Sequence, residues 1–314
     1  MEAALERASP LIGSAELDSR RAIREEIEVL LNKWIDSLLP SEEQTSITRP
    51  RGKVMTIGTG TLELLTPESD IDLVCLLPAL PGQSHRAVDE NGEVRSPLRN
   101  RWIEEFGALL QQNEHVEDYS KIDTAANPTL CCKYRGVDLD ILLSILPRKT
   151  TIEPEFLEVN ATHDNWQTFQ DDTVLAELDD ASQRSLNGVR VARLLLSDRS
   201  LVPDVAVFKL VLRFVKAWAK ARGVYNNISG YFGGITWALC VAKVFMKHRE
   251  ERSAEELVCQ FFKYFTEIDY DKETVELRTP IAPNTDEATK KLIAMESAWG
   301  NPLFSSDEFV SQCE

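Results

Sequence analysis

The sequence predicts an α+β chain, with a strand-rich N-terminal half joined to a helical C-terminal half. Three observations carry that expectation. Short apolar runs interrupted by glycine mark strands in the first half. "TLCCKYRGVDLDILLSI" (129–145) reads as a hairpin. From about residue 173 the apolar residues take helical spacing, most clearly in "VAVFKLVLRFVKAWAKAR" (205–222).

Taken in order, residues 17–39 form an amphipathic helix, because Ile23, Ile27, Leu30, Leu31, Trp34, Ile35 and Leu38 recur at spacings of three and four. Pro40 ends it. "KVMTIG" is a short strand broken at Gly58, and "DIDLVCLL" is the next strand. The polar stretch 81–97, with Gly, Pro and an Asn-Gly pair, is a surface loop. "RNRWIEEFGALLQQ" returns to helical period, with Trp102, Ile103, Phe106, Leu109 and Leu110 on one side. The hairpin turns at Arg135-Gly136, and the long helix of the second half stops at Gly223. A chain of 314 residues divides into two domains of ordinary size, and no internal repeat is visible.

Composition narrows the function classes. No run approaches the roughly 20 apolar residues of a membrane span, so no membrane partner is expected. The acidic start "MEAALERASP" lacks the apolar core of a secretory signal. Six cysteines without a CxxC pair, and histidines scattered at 85, 115, 163 and 248, predict buried thiols in a reducing, intracellular compartment and no zinc site. The net charge of −16 argues against a surface built to grip a polyanion. The charge is uneven, however. Residues 205–249 contain eight Lys/Arg and no Asp or Glu, so this island carries +8 and the remainder −24. A local anionic ligand is the expectation there.

The acidic residues of the strands point to chemistry. Residues i and i+2 share one face of a strand, so Asp70 and Asp72 point the same way while Ile71 and Leu73 point into the core. Adjacent carboxylates repel and are costly to bury. A hard divalent cation removes that cost, and Mg²⁺ commonly takes one or two carboxylates plus substrate phosphates. Asp138 and Asp140 repeat the pattern on the later hairpin strand, so a third carboxylate joins the site if the two strands are neighbours. Such a set can clamp the attacking and leaving oxygens of a phosphoryl transfer. Upstream, Gly58-Thr59 ends a strand at a tight turn. A helix starting at "TLELL" would aim free N–H groups and the Thr59 hydroxyl at phosphate. In the second half Lys209, Arg213, Lys216 and Lys220 follow one helix face. Tyr225 is a natural base-stacking residue, and the glycines at 223–234 favour close backbone approach.

Together these motifs resemble the polymerase-β-like nucleotidyltransferase superfamily: a strand, G-[ST], a spacer, D-I-D in an apolar strand, then a later acidic strand. "RGKVMTIGTG", the "NKWI" of the first helix, "RSLNGVRV" (184–191), "FVKAWAKARGVYNNISGYFGGITWALCVAK" (214–243) and "TPIAPNT" (279–285) narrow the resemblance to nuclear-type eukaryotic poly(A) polymerases over roughly residues 17–290. The resemblance implies a palm of mixed sheet with helices at 52–172, a helical central domain at 173–300, an N-terminal helical segment at 1–51 packing on the central domain, and a tail at 301–314. It also implies roles. Asp70, Asp72 and Asp140 would be the catalytic, metal-binding triad, with Asp138 not a ligand. Gly58 and Thr59 would form the phosphate turn. Asn187 would contact the sugar region, and Lys216 and Lys220 the triphosphate. Tyr225 would stack on adenine, Asn227 would approach the base or sugar, and Gly233 and Gly234 would let the backbone lie close to the nucleotide.

The activity implied is template-independent addition of AMP from ATP to an RNA 3′-hydroxyl with release of pyrophosphate. Mg²⁺ is the expected ion, with Mn²⁺ as its alternative. ATP and an RNA 3′ end are the expected partners, with RNA held weakly unless a protein partner supplies RNA binding. The nucleus is the implied location, with cytoplasm as the alternative. Two departures keep other readings open. Glu63 stands where the family has a second glycine, and Gly60-Thr61 where it has an aromatic-basic pair. The sequence also stops before the family's RNA-recognition-like domain. The alternatives are uridine addition, oligoadenylate or cyclic-nucleotide synthesis, and a non-catalytic binding subunit.

Overall fold

The computed structural model describes residues 1–41, 50–80, 87–88, 94–123, 127–147, 177–225 and 230–269. The chain forms two compact units, one of residues Ile12–Val191 and one combining Met1–Leu11 with Ala192–Glu314.

The first unit is built on a five-stranded sheet of β1 (Lys53–Thr56), β2 (Ile71–Leu77), β5 (Val116–Ile122), β6 (Thr129–Tyr134) and β7 (Val137–Ile145), in the order β1-β2-β7-β6-β5. β2 and β7 pair parallel, and every other pair is antiparallel. The sheet is therefore mixed, as the resemblance implies. β6 and β7 are joined by a two-residue turn with Arg135 at φ +50° and Gly136 at φ +78°. Positive φ at both central residues matches the twist of a tight hairpin.

Helix α2 (Ser14–Leu38) buries Ile23, Ile27, Leu31, Trp34 and Ile35 in one core with Val54, Leu73, Cys75, Leu139, Ile141 and Leu143 of the strands. Its polar side chains also serve the sheet's edge. Arg24 Nη1 donates to the Val54 carbonyl (3.2 Å), and Glu28 Oε2 accepts from Val54 N (2.9 Å). Asn32 exchanges two hydrogen bonds with the backbone of Gly52 (2.9 and 3.0 Å). Three residues spaced by four thus satisfy the backbone groups that a further strand would have paired.

Several elements differ from the sequence expectation. Within the stretch expected to be loop, β3 (Ala87–Val88) and β4 (Val94–Arg95) pair antiparallel, and helix α3 starts at Pro97. α3 is composite: α-helical Pro97–Arg101, π-helical Trp102–Phe106, then α-helical Gly107–Gln111. A single π-turn shifts the apolar spacing by one residue, too little to show in so short a stretch. β5 was not expected, because a charged edge strand shows no alternating pattern; a bulge between Glu117 and Ser120, with Asp118 at φ +51°, kinks it. Of the segment expected to pack on the helical half, only Met1–Leu11 belongs to that unit, and α2 covers the sheet instead.

A buried polar network ties β7 to helix α4 (Asp180–Ser197). Arg99 donates to the Leu143 carbonyl (2.9 Å), to both Asp179 carboxylate oxygens (2.9 and 3.1 Å) and to Ser182 Oγ (2.8 Å). Asp179 also caps the helix by accepting from Ser182 N (2.7 Å). Ser182 Oγ accepts from Ile145 N, and Ser185 Oγ donates to the Leu143 carbonyl. Burial lowers the Arg99 pKa from its ordinary value, against the pull of Asp179.

The second unit packs α5 (Val205–Ala221), α6 (Gly234–Lys247) and α7 (Ala254–Glu267) around Phe208, Val211, Val215, Trp237, Val241, Phe245, Leu257 and Phe261. Asp204 caps α5 by accepting from Ala206 N and Val207 N. Helix α1 (Glu2–Ala8) is clamped by Arg213 of α5, which donates to the carbonyls of Leu5 (3.1 Å) and Ser9 (2.6 and 2.9 Å) and to Glu6 Oε1 (2.6 Å). Arg213 is thus committed to a structural clamp, which removes it from the basic stripe expected to face an anion.

Replacing Arg99 by Met strands the Asp179 carboxylate in the interior. Urea unfolding is expected to show a loss of about 3–5 kcal/mol. Adding Asp179→Asn, which keeps a capping acceptor without the charge, is expected to recover part of that loss.

Candidate active site

Three carboxylates meet at one end of the β2–β7 pair. In the parallel register Asp72 lies opposite Asp140, while Ile71 and Leu139, their apolar neighbours, are buried beneath. Asp70 lies one residue before β2, with the alternation that places it on the face of Asp72. One carboxylate oxygen from each of Asp70, Asp72 and Asp140 lies within 4.8 Å of the others. Asp70 is exposed and the other two are half-buried. Asp138 shares the strand face but is outside this cluster, and it is paired with Lys133 at 3.8 Å.

The strand before the cluster ends at a turn shaped around Asp72. Ile57 N donates to the Asp72 carbonyl (2.9 Å). Gly58 then adopts φ +61°, and a Cβ placed on it would lie 2.8 Å from Asp72 Oδ2. Both conditions call for glycine. The expected helix at "TLELL" is replaced by one turn of a helical stop. Glu63 N donates to the Gly60 carbonyl (3.2 Å) and Leu64 N to the Thr59 carbonyl (3.0 Å), a Schellman pattern. Glu63 occupies its left-handed position at φ +56° and is exposed. A glycine at this point, which the resemblance leads one to expect, has a physical reason, and Glu63 holds the conformation under strain.

Cys131 on β6 is the antiparallel partner of Asp140 and shares a side-chain hydrogen bond with it. Burial, that bond and the Asp140 charge push its thiol up to about 12. Its sulfur is not among the atoms of the cluster. The remaining donor set is all carboxylate oxygen, which fits a hard divalent ion such as Mg²⁺ or Mn²⁺. Cys131 was not singled out by sequence, because its place depends on the hairpin register.

The other candidate residues fall into separate surroundings. Asn187 lies on α4, where its Oδ1 accepts from Arg190 Nη1 (3.3 Å). Gly188 beside it packs against Ile57, which a Cβ would approach to 3.4 Å. In the helical unit, Lys216 is buried and Lys220 exposed, and their Nζ atoms lie 5.7 and 5.4 Å from the Tyr225 ring centroid. This is cation–π range. The Tyr225 hydroxyl sits 2.9 Å from where a Gly234 Cβ would be, so the absence of a side chain at Gly234 makes room for Tyr225. Gly233 is the N-cap of α6. Asn227 and "TPIAPNT" lie outside the described residues.

A mixed sheet presenting a carboxylate triad beside a glycine turn, followed by a helical unit, defines the polymerase-β-like nucleotidyltransferase class. Residues 1–198 match the poly(A) polymerase nucleotidyltransferase domain and residues 207–306 the poly(A) polymerase central domain. The chain belongs to the poly(A) polymerase family. It is 29% identical to nuclear poly(A) polymerase 1 of Arabidopsis thaliana over 267 residues, covering 83% of this chain and 33% of that protein. It is 28% identical to nuclear poly(A) polymerase 4 of the same plant over 250 residues, covering 79% of this chain and 30% of that protein. The chain thus spans about a third of the length of these relatives. In fold it is similar to terminal uridylyl transferase 4 of Trypanosoma brucei with bound GTP (TM-score 0.53, 16% identity, 86% of this chain and 73% of that one). It is also similar to Cid1 in complex with its short product ApU (TM-score 0.52, 14% identity, with the same coverages).

Glu63→Gly is expected to stabilise the protein by about 0.5–1 kcal/mol, since the left-handed strain relieved exceeds the entropy that glycine loses on folding. A higher urea midpoint checks this; an unchanged or lower one contradicts it.

Proposed function

We propose that this chain is a template-independent nucleotidyltransferase that adds AMP from ATP to an RNA 3′-hydroxyl. The observation that carries the reading is the convergence of Asp70, Asp72 and Asp140 beside the Gly58 turn, in a chain of this family. Asp140, with Asp70 and Asp72, would hold an ion at the attacking hydroxyl, and Asp70 and Asp72 one at the triphosphate. Bound there, divalent ions supply charge neutralisation and lower the pKa of the hydroxyl.

The chain's own groups do the rest. Lys216 and Lys220 balance charge on the β- and γ-phosphates, and Tyr225, whose ring centroid lies 5.7 and 5.4 Å from their Nζ atoms, stacks on the base. Asn187 takes the sugar region, and Gly58 and Thr59 approach the phosphates. The 3′-oxygen forms a bond to the α-phosphorus, and the bond from that phosphorus to the bridging oxygen breaks. Pyrophosphate leaves with the electron pair, and the hydroxyl proton passes to solvent. Catalysis is then mainly positioning and electrostatics. A net charge of −16 makes weak RNA binding the expectation, with a protein partner supplying the grip. The family's nuclear relatives support action in the nucleus.

Incubating the protein with each of the four ribonucleoside triphosphates, with and without an RNA primer, tests the reading. Primer-dependent ATP incorporation is expected, with Asp140→Ala at least about 10³-fold slower at a urea midpoint no lower than wild type, since one repelling charge is removed. UTP preference would reassign the nucleotide, primer-free product would reassign the acceptor, and normal extension by Asp140→Ala would overturn the triad.

A further inference from the structure

The three carboxylates are not held alike. Asp72 and Asp140 are fixed by strand register, but Asp70 precedes β2 and is exposed, so its position follows the loop that delivers it. That loop is closed on itself. Ser69 N donates to the Thr66 carbonyl (2.9 Å), Thr66 N donates to Ser69 Oγ (3.0 Å), and the two hydroxyls share a hydrogen bond of 2.9 Å.

The loop is also held from outside by one side chain. Arg20 of α2 is buried at 5% exposure, although it is a cation. Its Nη1 donates to the carbonyl of Ser69, the residue immediately before Asp70, at 2.6 Å. Its Nη2 reaches the carbonyls of Thr66 (3.4 Å) and Pro67 (3.3 Å) and the Glu16 carboxylate (3.0 Å). A planar guanidinium can grip several carbonyls at once in fixed directions, which a lysine ammonium at the end of a flexible stem does not reproduce.

We infer that Arg20 is a positioning residue for Asp70: by pinning the Thr66–Ser69 loop it holds the Asp70 carboxylate in the metal-binding cluster. The inference rests on the reading of the triad as a divalent-metal site. Outer-shell partners of metal ligands commonly contribute 10–100-fold in metal affinity. Arg20 acts one step further out, through the backbone, and the effect is expected near the lower end of that range.

Calorimetric titration of Mn²⁺ into the full chain, without nucleotide or RNA, tests this. Arg20→Met is expected to weaken Mn²⁺ binding about 10-fold. Arg20→Lys, which keeps the charge and most of the packing, is expected to weaken it by a smaller but resolvable factor of about 3; it carries the test if the Met variant does not fold. Asn32→Ala is the control. It removes the buried pair with Gly52 at the other end of α2, so it should lower stability and leave Mn²⁺ affinity unchanged. Wild-type affinity in folded Arg20→Lys and Arg20→Met would overturn the inference, as would an equal loss in Asn32→Ala. Absence of Mn²⁺ binding in the wild type would overturn the metal reading itself, and the inference with it.

Discussion

Three carboxylate oxygens within 4.8 Å of one another repel, so their meeting has to be imposed by the rest of the structure. The sheet is the frame that imposes the arrangement. Parallel pairing of β2 with β7 sets Asp72 against Asp140, and a slip of one residue would turn one of them into the core. The apolar residues between them resist that slip. Ile71, Leu73, Leu139 and Ile141 are buried in one cluster with the stripe of α2. Hydrophobic packing thus supplies the force that keeps the three carboxylates together.

The same constraint accounts for details around the cluster. Gly58 must turn left-handed and carry no side chain, because Asp72 occupies the space beside it. Cys131 is hydrogen-bonded to Asp140 but is not part of the cluster, whose donors are all carboxylate oxygens. Arg20 anchors the loop that brings Asp70 to the other two. In the helical unit a second small constellation is organised by close packing: two lysine Nζ atoms lie near the Tyr225 ring, and Gly234 makes room for its hydroxyl.

Much of this was legible in the sequence. The strands, the hairpin turn and the late helices follow from period and glycine placement, and the doubling of Asp-x-Asp on two apolar strands marks the triad. What was not legible depends on register or tertiary contact. The charged edge strand β5 has no pattern because neither face is fully buried, and the single π-turn of α3 shifts the apolar spacing by only one residue. The stop at Glu63 escapes because its strain lies in φ. Arg213 sits on a basic stripe yet serves as a clamp for α1, a role visible only once its partners are known. Arg20 did leave a trace: it continues the buried stripe of Ile23, Ile27, Leu31 and Trp34, and a cation on an apolar stripe signals a specific backbone partner.

The proposed divalent-metal site depends on the register of β2 and β7 and on the loop before β2, which together bring Asp70, Asp72 and Asp140 to one place. A crystal grown with Mn²⁺ and a non-hydrolysable ATP analogue, with data collected at the manganese edge, tests it directly. An anomalous peak is expected within direct coordination distance of carboxylates of all three aspartates. A peak on Asp70 and Asp72 alone is the ion assigned to the triphosphate; the lack of a further peak that includes Asp140, or manganese only elsewhere in the chain, would contradict the three-carboxylate site.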